Sequence, residues 1–126
     1  MRKLIVDTNV FIDWKRSGRG CLIELLELKK NKKVKLFVPT VVILEFWSGE
    51  ELNRKIEKKR AVKMFGGFQK TKLTEKIAKK AGELLRKKQV SQAMDAIVGA
   101  TAIVIEAELV TNNKKHFEKI KELKLF

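Results

Sequence analysis

The chain has 126 residues with 44% apolar content, which suits one globular domain spanning residues 1–126. No apolar run approaches the roughly 20 residues that a membrane-spanning helix needs. Cys21 is the only cysteine and His116 the only histidine, which excludes an intrachain disulfide and a Cys/His zinc site. Against 15 acidic residues stand 29 Lys and Arg, a formal charge of +14, and an excess this large attracts polyanions through counterion release. Lysine-rich surfaces adapted to heat tend to balance their signs, so nucleic acid is the expected partner. The opening "MRKLIVDTN" is too short and meets an acid too soon to be a secretory signal, and a cytoplasmic location is expected.

Taken in chain order, "KLIVD" reads as a short buried strand, and "TNVFIDWKR" continues as a helix that Thr8 or Asn9 is placed to start. Gly18 and Gly20 break the chain before "GCLIELLELKKN", where Leu22, Leu25 and Leu26 share a helical face with Cys21 in a packing role. "KLFVP" is a second strand stopped by Pro39, and Thr40 is expected to cap a helix over "VVILEFWSG". From Glu50 to Phe65 the spacing of Leu52, Ile56 and Met64 predicts a solvated helix with a narrow apolar stripe. "GGFQKTKL" predicts a turn and a short strand. Thr74 caps "EKIAKKAGELLRKK", whose core face is Ile77, Ala81, Leu84 and Leu85. "QAMDAIVGATAIVIEA" is apolar nearly all round and predicts a helix buried between layers. "ELVTNN" predicts another strand, "KKHFEKI" a short helix and "LKLF" an edge strand.

Strands alternating with helices imply parallel crossovers, and hence an α/β fold: a three-layer α/β/α sandwich with a mainly parallel central sheet. Such sheets gather ligands at the carboxyl ends of their strands. Asp7 lies at the end of the first strand and "TNN" at the end of a late one.

Three acids sit apart from the lysine-rich surface. Asp7 ends an apolar strand, Glu45 interrupts "VVILEFW", and Asp95 interrupts "AMDAIVGATA". Singly, Asp7 could cap the following helix, Asp95 could cap one beginning at Ala96, and Glu45 could face solvent. Together, three isolated carboxylates in apolar settings are better explained by convergence, because a buried carboxylate costs several kcal/mol unless it is paired or holds a cation. Oxygen donors without a Cys/His cluster favour Mg²⁺ or Mn²⁺ over Zn²⁺.

The segments "VDTNVFID", the lone Glu of "VVILEF", "AMDAIVGATA" and "LVTNNKKHF" occur in the order and spacing of PIN-domain ribonucleases, and this short basic chain most resembles their VapC-type toxins. By motif, the resemblance implies Asp7, Glu45 and Asp95 as the catalytic and metal-binding acids, with Thr8, Asn9 and Thr111 as supporting polar residues. Asn113 occupies a position where many members carry a further acid, so a second ion should bind less tightly. The resemblance implies endonucleolytic cleavage of single-stranded RNA, an antitoxin partner and a homodimer. His116, near the last motif, receives no role. Trp14, Phe46 and Trp47 are available to meet bases, although core packing is the more ordinary use of aromatic residues.

Alternatives remain at this stage: an RNA-processing PIN nuclease without an antitoxin, or a non-catalytic RNA-binding module if Asn113 marks a decayed site. A haloacid-dehalogenase phosphatase would want a second Asp where Asn9 stands, and a receiver domain would want an acidic pair that is missing.

Overall fold

The computed structural model describes residues 1–126. Five strands, β1 (Arg2–Val6), β2 (Val34–Pro39), β3 (Gln69–Thr71), β4 (Glu108–Val110) and β5 (Lys124–Leu125), form one sheet in the order β3-β2-β1-β4-β5. Every neighbouring pair is parallel. Leu4, Ile5 and Val6 of β1 are all fully buried; successive strand residues point to opposite faces, so both faces of the centre are covered. This is the expected three-layer sandwich.

Six helices make the crossovers: α1 (Thr8–Ser17), α2 (Cys21–Lys30), α3 (Thr40–Trp47), α4 (Lys55–Phe65), α5 (Glu75–Arg86) and α6 (Ala93–Val104). Gly18 ends α1 at φ 70° and Gly20 precedes α2 at φ 100°, conformations in which a side chain is strained. Phe65 of α4 meets Phe11 of α1 at 4.7 Å and Phe46 of α3 at 5.1 Å, and Phe68 adds a contact to Phe11 at 5.1 Å. This aromatic cluster fixes α1 against α3. Lys15, whose side chain is only 7% exposed, reinforces the pair by lying 4.9 Å over the Phe46 ring while its amine meets Glu51 at 3.4 Å. α6 is the buried helix that its composition predicts, with Ala96, Ala100 and Ala102 fully enclosed.

Several local expectations are corrected. Thr8 starts α1 as expected, but the cap is Asp7, its carboxylate accepting from the Thr8 N–H. Thr40 is the first residue of α3 and not its cap; extended Pro39 holds that place and supplies no side-chain acceptor. Asp95 does not cap a helix at Ala96, because α6 already begins at Ala93, after extended Gln92. The stripe through Ile56 does not exist. Glu50–Asn53 is a 3₁₀ turn and Arg54 is extended, which resets the phase, so α4 buries Ala61 and Phe65 while Ile56 is 60% exposed. The predicted helix over "KKHFEKI" shrinks to a 3₁₀ turn at Lys114–His116; it has no apolar face, and the chain is anchored instead by buried Phe117 and Ile120.

Candidate active site

The sheet order reverses beside β1: the chain runs outward from β1 to β2 and β3, then returns to β4 on the other side. The crevice at such a switch point, beyond the carboxyl ends of the strands, is where open α/β sheets bind ligands. Asp7 and Thr111 stand directly after β1 and β4, and the Asp7 N–H extends the ladder by donating to the Val110 carbonyl at 3.0 Å.

The Asp7 carboxylate is 5% exposed and is held from three sides. Its Oδ1 accepts from the Thr8 N–H at 2.8 Å, and its Oδ2 accepts from Thr111 Oγ1 at 2.9 Å and Asn9 Nδ2 at 3.0 Å. All three donors are neutral. Burial raises the Asp7 pKa above its ordinary value, and the nearby charges of Asp95 and Glu45 push the same way, against the bonds from Thr111 and Thr8. This is a carboxylate whose charge lacks a counterion. The amino end of α1, which Asp7 caps, favours that charge without cancelling it.

The supporting polar groups form a closed circuit. Asn9 spends its amide on both sides, donating to Asp7 and, at 3.3 Å, to Thr111 Oγ1, while its Oδ1 accepts from the Asn112 N–H at 2.9 Å. Thr111 Oγ1 in turn accepts from the Asn113 N–H at 3.0 Å. Asn113 therefore enters through its backbone, not its side chain. Glu45, on α3, accepts from Thr8 Oγ1 at 2.7 Å, a link that its position in an apolar helix did not suggest.

Asp95 lies in the first turn of α6, its side chain 18% exposed, with His116 Nδ1 3.2 Å from its Oδ2. The pairing of His116 with Asp95 went unread in the sequence; the only signal was that both fall within motifs of one resemblance. Of the aromatic candidates, Phe46 is 2% exposed and belongs to the core, and Trp14 lies under the Arg60 guanidinium at 4.8 Å. Trp47 is 40% exposed, and half-buried Trp14 lines a separate cavity with Leu26, Arg60 and Met64.

Asp7, Glu45 and Asp95 thus share one end of the sheet, close enough for Asp7 to feel the other two. No three acidic, His or Cys side chains close into a ready-made cage for an ion. Such an open set of hard oxygen donors still fits Mg²⁺, which keeps several waters and is commonly bound by one or two carboxylates plus substrate phosphate. The uncompensated Asp7 charge is what a cation there would satisfy.

A PIN domain family model matches residues 4–123. The chain is 29% identical over 123 residues to the protein named ribonuclease VapC19 of Mycobacterium tuberculosis H37Rv, covering 94% of this chain and 95% of that one. Among solved structures it is similar to VapBC2 from Rickettsia felis bound to a fragment of promoter DNA, with a TM-score of 0.83 at 22% identity over 98% and 97% of the two chains. DNA-bound VapBC from Salmonella typhimurium matches with a TM-score of 0.83 at 19% identity, covering 100% of this chain and 98% of that one. A toxin–antitoxin complex from Klebsiella pneumoniae matches with a TM-score of 0.75 at 24% identity, over 95% and 94%.

Proposed function

The chain belongs to the PIN-domain family, and from that premise we propose that it is a metal-dependent endoribonuclease acting on single-stranded RNA, the toxin of a toxin–antitoxin pair. The observation that carries this reading is the buried Asp7 carboxylate, met only by neutral donors at the switch point of the sheet and lying in the field of Asp95 and Glu45. A relative named as a ribonuclease and fold neighbours solved as toxin–antitoxin complexes support it.

Asp7 and Asp95 would hold Mg²⁺ or Mn²⁺, with Glu45 beside them. Bound there, the ion supplies a Lewis acid that lowers the pKa of water and offsets charge building on the phosphodiester. Glu45 spends Oε1 on Thr8 and has its other oxygen to accept a proton from the attacking water. Thr111 and Asn9 fix the orientation of Asp7, so the acid pays no reorganisation cost as the reaction begins. With neutral Asn113 in the last motif, a second cation binds weakly.

The test is cleavage of single-stranded RNA with chelator and then with Mn²⁺, using the parent and Asp95→Asn. The parent should cut only with the ion and the variant should not cut. Cleavage by the metal-free protein, or by the variant at the parent rate, would overturn the reading. Asn113 favours one rival, a non-catalytic RNA-binding module, and RNA binding without cleavage under every metal condition would establish that instead. The antitoxin, the homodimer and a cytoplasmic site follow from the same family premise. A small DNA-binding protein encoded alongside, co-purifying with this chain and silencing its cleavage, is the expected sign of the pair.

A further inference from the structure

Directly beyond Asp7, the residues Thr111, Asn112, Asn113, Lys114, Lys115 and His116 line a cleft of about 520 Å³ without a single apolar side chain. Two hydrogen bonds tie the cleft to the acids: the Asn112 N–H donates to Asn9 Oδ1 and the Asn113 N–H to Thr111 Oγ1. At its far end, His116 Nδ1 stands 3.2 Å from Asp95 Oδ2. The cleft therefore adjoins the carboxylate site and is held in register with it by these contacts.

Its charge runs opposite to that of the site. Lys114 and Lys115 are exposed, and neither takes part in any of the ion pairs that occupy Lys15, Lys79, Lys80 and Lys87. Asn113 adds no negative charge between them and Asp7. Two unengaged amines beside a rigid polar cleft suit a phosphodiester, and the exposed amides of Asn112 and Asn113 suit sugar hydroxyls or base edges. The acids repel a polyanion, so a strand reaching them needs cations close by.

The geometry points to the 111–116 cleft as a subsite for the RNA backbone flanking the scissile phosphate, with Lys114 and Lys115 as its phosphate-binding residues. This inference rests on the ribonuclease reading for its substrate but not for its test. The experiment measures the affinity of a short fluorescein-labelled single-stranded RNA by anisotropy over a range of salt, in chelator, so that binding is read without cleavage. Lys114→Gln/Lys115→Gln should weaken binding about tenfold at low salt and flatten the dependence of log K on log salt by about 1.4, at roughly 0.7 per phosphate contact on a single strand. Lys114→Arg/Lys115→Arg should restore both. The control is Lys33→Gln/Lys35→Gln, which removes equal charge where β2 begins, at the opposite end of the sheet, and should leave the slope of a short strand unchanged. A parent-like slope in Lys114→Gln/Lys115→Gln, or an equal loss in the control, overturns the subsite. If the parent binds with the expected slope but never cleaves, the ribonuclease reading fails and the subsite stands.

Discussion

Asp7 concentrates the conflict in this molecule, because the fold buries its charge and returns only neutral hydrogen bonds. A pKa raised above the ordinary 3.8 means that the folded state holds its proton more tightly than the unfolded chain does. The corresponding stability is fully present below 3.8 and is lost as pH rises from there through the raised folded value. Denaturant unfolding of the metal-free protein across that window should show this loss in the parent and not in Asp7→Asn. At neutral pH, Mn²⁺ at about a hundred times its dissociation constant should stabilise the parent by roughly 2.7 kcal/mol, read as a rise of several degrees in Tm, with no rise in Asp95→Asn. RNA cleavage should fall by about 10² or more in Asp7→Asn and Asp95→Asn, while their circular dichroism stays that of the parent. Thr111→Val strikes the same carboxylate indirectly. It removes a donor to Asp7 and the acceptor of the Asn113 N–H, so a stability loss of about 1–3 kcal/mol and a drop in cleavage of about 10–100-fold are expected.

Among the elements, α5 offers a test of local propensity free of packing. A Cβ added at Gly82 would meet nothing within 4 Å, so Gly82→Ala should raise stability by about 0.5–1 kcal/mol in denaturant unfolding. Thr74→Ala should cost about 1 kcal/mol, because the Thr74 hydroxyl accepts from the Ile77 N–H at 3.2 Å. The Thr74 cap was legible in advance, as were the strands and the ends on which Asp7 and Thr111 sit, because alternating apolar runs and turn residues leave a local imprint. What could not be read arises from distant partners. Arg54 goes extended and rotates α4 away from the predicted stripe, a change of phase invisible to a count of spacings. The bond between Thr8 and Glu45 depends on Phe65 holding α1 against α3, which no window of sequence contains. The pairing of His116 with Asp95 likewise requires β4 and α6 to be already in place.

At the scale of the whole molecule, an excess of positive charge surrounds a site that is itself negative. The charge imbalance was plain from composition, whereas its placement was not: Lys114 and Lys115 adjoin the acids, while Lys33 and Lys35 lie by the other end of the strands. A second whole-molecule dependence comes from the ion pair of Arg2 and Glu108, 2.8 Å apart, which joins β1 to the start of β4. Its hydrogen bond to Arg2 holds the Glu108 pKa below the usual 4.5, so the stability it lends is present above 4.5 and fades as pH falls through the lowered value. Glu108→Gln should shift acid unfolding only slightly, since both partners meet solvent.

The pairing of β1 with β4, Leu4 opposite Glu108 and Val6 opposite Val110, joins two segments far apart along the chain. Thr111, the residue that steadies Asp7, follows β4 directly. Asp7 therefore stays hydrated until this distant pairing forms, and a fragment lacking β4 and Thr111 has no pocket to assemble around it. Whatever chemistry the site carries thus appears only with the long-range contact, since no local stretch of chain holds both Asp7 and the hydroxyl that orients it.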